Sequence, residues 1–299
     1  MATATRASSA GPSTRRWGSA AVAALLVVLV VGLMLGGGGS ATPVAGLPDP
    51  GALTRWGLPV AKAILDGAAA VTVGLILLAA LLPAPGGELG RDALRALRAA
   101  SNAAAVWVVA AAVVYLLTLS DLIGVPLWDA LTGTAIASYT ESVAQGRAYA
   151  AVFILALALV AAARLTLGSG GSIALLCLGI GTLVPPTLTG HSATGDYHHS
   201  AAASLLIHVV GVTLWVGGLV AVAWYASQRG AYLGRVARSY STLALGCFVM
   251  VGASGVLNAW VRITSVFDLV TTRYGLLILG KVAALIALGW FGTMHRRRT

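Results

Sequence analysis

Charge is what this sequence has least of. Only 9% of its 299 residues are Asp, Glu, Lys or Arg, against about 25% in an ordinary soluble domain. A soluble globule of this size needs more charge than that to cover its surface. A soluble enzyme, a nucleic-acid binder and a disordered tail are therefore all excluded. Cysteine is nearly absent. Cys177 and Cys247 both fall inside apolar runs, which argues against a disulfide framework or a thiolate metal cage and reads as two inert buried thiols. Methionine occurs four times and never in a cluster, which disfavours a thioether relay for a soft metal ion. There is no phosphate-binding loop and no His-Glu-x-x-His, so neither an ATP-driven pump nor a zinc protease is expected. No enzymatic chemistry is indicated.

What is present is apolar. The hydrophobic set makes up 58% of the chain and the mean hydropathy is +0.90. The apolar runs are long and continuous rather than alternating, which points to transmembrane helices and not to a barrel. Eight stretches are long enough to cross a bilayer: 17–36, 58–82, 99–119, 148–167, 172–190, 200–226, 239–261 and 273–294. The expectation is an all-α bundle of about eight transmembrane helices. With both termini inside, 13 of the 19 basic residues fall on the cytoplasmic side: Arg6, Arg15, Arg16, Arg91, Arg95, Arg98, Arg164, Arg229, Arg235, Arg238, Arg296, Arg297 and Arg298. Only Arg55, Arg147, Arg262 and Arg273 fall outside, while Lys62 and Lys281 lie within spans. The positive-inside rule therefore sets the orientation, and it explains the net charge of +10 without nucleic acid. Trp17, Trp56, Trp128, Trp224, Trp260 and Trp290 stand near span ends, as an aromatic belt requires. The first stretch is read as an uncleaved helix rather than a signal peptide. The chain then divides into a cytoplasmic tail (1–16), three helices with outer loops (17–147) and five further helices (148–299). Segment 37–57 reads as a loop, and 120–147 as a possible short helix at the outer surface.

The chemistry concentrates in one place. Four of the five histidines lie between 191 and 208. His191, Asp196, His198 and His199 cluster at the outer end of the fifth and sixth spans. His208 lies about 14 Å deeper than His199 along a helix. An ionisable side chain at that depth is a functional candidate by default. Imidazole ligates copper, zinc, nickel and iron, so His191, His198 and His199 with Asp196 form a candidate capture site and His208 a deeper one. His208, Gly211, Trp215 and Gly218 share one helix face by their three- and four-residue spacing. The glycines on that face invite a neighbouring helix. Ser254 and Asn258 are one turn apart on the seventh span. Lys281, about 12 Å into the eighth span, is charged and is not a metal ligand. Lys62 and Asp66, at i and i+4 on the second span, read most simply as a self-neutralising pair.

These residues resemble a known family. Gly190-His191-Ser192-Ala193, His198-His199, the His208–Gly218 face, Ser254-Gly255 with Asn258 and Trp260, the run Thr272, Tyr274, Gly275, Leu277, Leu279 and Lys281, and the tail Met294-His295 with Arg298 are together similar to the membrane domain of the copper resistance protein D family in its actinobacterial form. Residues 138–165, with Gly146-Arg147, are similar to the family's preceding helices. The resemblance implies a plasma-membrane protein of copper passage or homeostasis, with the outer histidines as copper-site candidates and Trp215, Asn258 and Lys281 lining or supporting the path. Its implied partners are the bilayer, the copper ion, a periplasmic copper donor and an oxidase assembly factor. Some relatives carry a periplasmic copper-binding domain or a second membrane domain, so the sequence is expected to be either a compact version or a fragment of a longer fusion.

Two rival readings stand beside copper transport. One is a haem b protein for membrane electron transfer, with His191 and His208 on adjacent spans as axial ligands. Against it, His198 and His199 are consecutive and cannot both face one helix interior. The other is a partner that holds copper for oxidase assembly without transporting it.

Overall fold

The computed structural model describes residues 49–189, 198–262, 265 and 267–296. The expected first span, 17–36, lies outside the described residues, as do His191 and Asp196. The elements are α1 (Gly51–Leu81), a 3-10 turn (Pro85–Gly87), α2 (Arg91–Ile123), α3 (Leu127–Ala130), α4 (Gly133–Ser142), α5 (Ala144–Leu165), α6 (Ser169–Thr182), α7 (Val184–Thr187), α8 (His198–Ser227), α9 (Leu233–Arg262), α10 (Asp268–Thr271) and α11 (Arg273–Arg296). Among the described residues there is no strand. Six helices are long and apolar enough to cross a membrane, with α6 and α7 counted together, and α11 adds a shorter apolar stretch, Gly275–Ala287. The fold is an all-α polytopic membrane protein.

The helices overrun the apolar stretches that announced them, because hydropathy marks the bilayer segment and not the helix end. The clearest case is α1. Residues 37–57 were expected as loop, yet the helix begins at Gly51. Asp49 starts it, with Oδ1 accepting from the Gly51 N–H (3.0 Å) and from the Arg55 guanidinium (2.7 Å). At 31 residues, α1 is about 46 Å long against a hydrocarbon layer of about 30 Å. The fifth span departs the other way. Expected as one run over 172–190, it breaks at Leu183 into α6 and α7. Pro185 and Pro186 explain the break, since neither can donate to the preceding turn. Segment 120–147 forms the two short helices α3 and α4.

The core sits on α1. Val73, Ile76, Leu78 and Ala79 are fully covered, packed among α2, α6 and α8. Ala93, Ala96, Ala100 and Ala104 form the buried stripe of α2 at three- and four-residue spacing, continued by Ala111 two turns on, which lets α1 and α5 approach it closely. Val152, Ala156, Leu159 and Ala163 repeat the pattern on α5. Against α8, α1 comes closer still. A Cβ on Gly74 would overlap the Gly217 carbonyl, and one on Gly217 would overlap the Ala70 carbonyl. Cys247 is buried, as expected, but Cys177 is exposed on α6. The apolar run that carries Cys177 turns that position outward, which corrects the reading of two buried thiols.

One end of the bundle is tied together across its turns. Leu89 N–H donates to the Leu167 carbonyl (2.9 Å) beside an isolated antiparallel bridge between Glu88 and Gly168. Tyr225 Oη donates to Asp92 (2.7 Å) and accepts from the Tyr232 amide (3.2 Å). Arg164 donates to Ser101 and Asn102 (2.8 and 3.0 Å). Arg91, Arg95, Arg98, Arg164, Arg229, Arg235 and Arg238 belong to these turns and helix ends. This is the end that the positive-inside rule assigns to the cytoplasm. At the other end Thr54 and Ser120 share a buried hydrogen bond (2.8 Å), and Tyr139 of α4 packs edge-on to Tyr115 at 5.0 Å.

Candidate functional site

The α8 face picked out in the sequence meets α9 along its length. His208 Nδ1 is 3.0 Å from Ser254 Oγ. Gly211 faces Val251 and Met250, with the Cys247 carbonyl nearby. Trp215 packs edge-on against Phe248 at 5.6 Å, and its carbonyl accepts from Tyr240 Oη. Gly218 lies against the Tyr240 ring. The four α8 positions thus form one seam with Tyr240, Cys247, Val251 and Ser254 of α9. Asn258 continues that α9 register one turn beyond Ser254.

The hydrogen bonding around His208 is compatible with a metal-ligating tautomer. Ser254 Oγ donates to the Val251 carbonyl (3.1 Å). That bond leaves the Ser254 oxygen able to accept from His208 Nδ1–H, and in that tautomer the Nε2 lone pair is the ligating face of the neutral ring. Holding one ring nitrogen with a hydrogen bond orients the other toward a metal ion. Ser204, one turn before His208, donates to the Ser254 carbonyl (3.2 Å), so the two helices are fixed on both sides of the imidazole.

Lys281 lies exposed on α11, within electrostatic reach of His208. Phe248 links the third helix, since a Cβ on Gly289 of α11 would stand 3.3 Å from its ring. The structure thus brings His208, Trp215 and Lys281 to the junction of α8, α9 and α11. His198 and His199 are the first two residues of α8, two to three turns above His208. His191 and Asp196 lie outside the described residues. Among the described residues no three His, Cys, Asp or Glu side chains gather as a metal cage.

The pair Lys62 and Asp66 does not neutralise itself by contact. Among the described residues ion pairs form between Arg55 and Asp49 and between Arg95 and Asp92, and not between Lys62 and Asp66. Both instead line a cavity of about 360 Å³ bounded by α1, α2, α5, α6–α7 and α8. Gln145 and Tyr149, one turn apart on α5, line it too. Sequence reasoning passed over these two, although their spacing was a signal, because nothing in the sequence pairs α5 with α1.

Two family models match the chain. One, described as the copper resistance protein D-like N-terminal domain, matches residues 52–200. The other, copper resistance protein D, matches residues 234–299. No curated protein and no solved structure matches it. The two models together cover most of the sequence, including the α9 side of the seam and most of the cavity wall, while residues 201–233, which carry His208 and Trp215, fall between them; the chain belongs to the copper resistance protein D family of multi-pass membrane proteins.

Proposed function

We propose that this chain carries copper ions inward across the plasma membrane. His191, His198 and His199, with Asp196, capture the ion at the outer face. His208 receives it within the membrane, and Trp215, Asn258 and Lys281 shape the surroundings. The observation that carries the reading is His208 itself, an intramembrane imidazole whose Nδ1 is 3.0 Å from Ser254 Oγ, which leaves Nε2 as the ring nitrogen that would ligate. An ionisable group at that depth is costly without a role. The family match to copper resistance proteins supports copper as the cargo. Lys281 places a basic side chain within electrostatic reach of the way-station, which opposes long residence of a cation and favours its release. The membrane potential suffices as a drive, at about 2.3 kcal/mol per charge per 100 mV.

The test is the copper content of cells expressing the native chain, measured by elemental analysis beside a His198/His199/His208→Ala triple variant expressed to the same level. Higher copper with the native chain, lost in the variant, is the expected result. Equal copper in both overturns a His-dependent importer. A Soret band in the purified protein would then assign the histidines to haem, and copper bound without uptake would assign them to a holding role.

A further inference from the structure

The Lys62–Asp66 cavity has no part in the copper path above. Asp66 stands at the midpoint of α1, 15 residues from either end, and the sixteen residues that follow it to Leu82 carry no charge. A carboxylate so placed in a spanning helix needs a partner or a function. Its nearest cation, Lys62, is not in contact with it. The cavity beside it, about 360 Å³, has room for several waters and enough polar groups to hold them.

The chemistry of the wall narrows the ligand. Thr182, Thr187 and Thr189 line the cavity, and each hydroxyl donates its proton to a backbone carbonyl of its own turn, at 2.8, 2.7 and 3.2 Å. What they offer the cavity is acceptor oxygen. Pro186, which also lines the cavity, adds to this, because it supplies no N–H to the carbonyl of Thr182 four residues back. The carboxylate and these acceptor oxygens disfavour an anion, although Lys62, Gln145 and Tyr149 bring donors to the same space. A resident metal ion is disfavoured as well, since the Lys62 ammonium faces the same space and only one anionic oxygen donor is present. A proton meets neither objection.

The charged and titratable groups facing Asp66 are few. Lys62 is on its own helix, and Tyr149 of α5 is buried and within electrostatic reach. Toward the cavity α2 presents Trp107, α6–α7 present hydroxyls and apolar groups, and α8 presents Leu205 and Val209, none of them titratable. Thr189 is followed directly by the segment carrying His191 and Asp196, so the cavity adjoins the end of the bundle assigned to the outside.

We infer that Asp66 is a proton-binding site, which takes up a proton from cavity water to become the neutral acid and returns it to the same water as the carboxylate. The exchange moves one proton between a water-borne hydronium and one carboxylate oxygen, with no other bond made or broken. Tyr149 and Gln145 are positioning residues that hold the cavity's polar network, and Lys62 sets how readily Asp66 gives the proton up. The inference stands apart from the copper reading and needs no metal.

A hydrophobic carbodiimide tests it, because the reagent reaches carboxyls within the apolar layer and reacts with them only when they are protonated. The purified full chain is treated across a pH series and the adduct is located by peptide mass spectrometry. The expected result is an adduct on Asp66 that declines in one step as pH rises. In Lys62→Met, loss of the neighbouring positive charge favours the neutral acid, so the decline moves to higher pH. Asp66→Asn removes that adduct and leaves those on other carboxyls unchanged. No adduct on Asp66 at any pH, or a decline that Lys62→Met does not move while labelling elsewhere stays native, overturns the inference. The wild-type profile alone is decisive if the variants fail to fold.

Discussion

The two sides of α8 are built in opposite ways. Toward α1 the contact is backbone on backbone, with Gly217 set against the Ala70 carbonyl and Gly74 against the Gly217 carbonyl. Toward α9 it is side chain on side chain, with His208 on Ser254, Gly211 under Val251 and Trp215 on Phe248. The neighbours differ in the same sense. The apolar window of α1 is 56% buried and that of α9 only 22%. Small residues packed in lipid hold helices by close approach, while polar groups in lipid are kept for chemistry. One helix therefore carries a side of backbone contact and a side of side-chain contact.

The sharpest way to break this comparison is Gly217→Ala against Gly211→Ala. The first puts a Cβ into a carbonyl that cannot yield, and is expected to cost about 1–3 kcal/mol or more. The second meets the Val251 side chain at 3.1 Å, which can rotate, and is expected to cost less than half as much. Thermal melting of the two in one detergent checks the order. Next in size, His208→Ala should abolish the copper gained by expressing cells while leaving the melting temperature near native, as a side kept for chemistry requires. Ser254→Ala should keep the fold and weaken copper binding about tenfold, as loss of the group orienting a ligating imidazole does, read by competition titration. Smaller again, a Trp215→Leu/Phe248→Leu double-mutant cycle should give a coupling of about 0.5–1.5 kcal/mol.

The smallest effect lies at the start of α1. The Gly51 amide and then the Arg55 guanidinium hold the Asp49 carboxyl below its ordinary value of 3.8. Because the folded value is the lower one, this contribution is present above the unfolded value and fades as pH falls through the folded one. Arg55→Ala should move the Asp49 titration part of the way back up, since the Gly51 bond remains. Carboxyl-labelled NMR checks it, and no measurable change in melting is expected for so exposed a pair.

Much of this was legible beforehand, for reasons particular residues make plain. The His208–Gly211–Trp215–Gly218 face could be read because helical spacing alone fixes which positions share a side. That the partner would be α9 and that Ser254 would hold His208 could not, since helix order in space leaves no mark on spacing. The start of α1 was missed because Asp49 and Arg55 make a helix where hydropathy sees only polar residues. The break at Leu183 was readable from Pro185-Pro186 but was masked by a long apolar run. Lys62 and Asp66 were seen as a pair and misjudged as self-sufficient, because the cavity between them is made by four other helices.

The contact between Gly74 and Gly217 has a mechanical consequence. Two helices in backbone contact have no intervening layer of rotamers to rearrange, so neither can roll or slide past the other without steric collision. α1 and α8 act as a single rigid wall. The seam of α8 with α9, made of rings, a hydroxyl and an aliphatic side chain, has discrete alternative packings available to it. The seam is thus the place where α8 and α9 can repack, while α1 and α8 cannot shift against each other without steric collision.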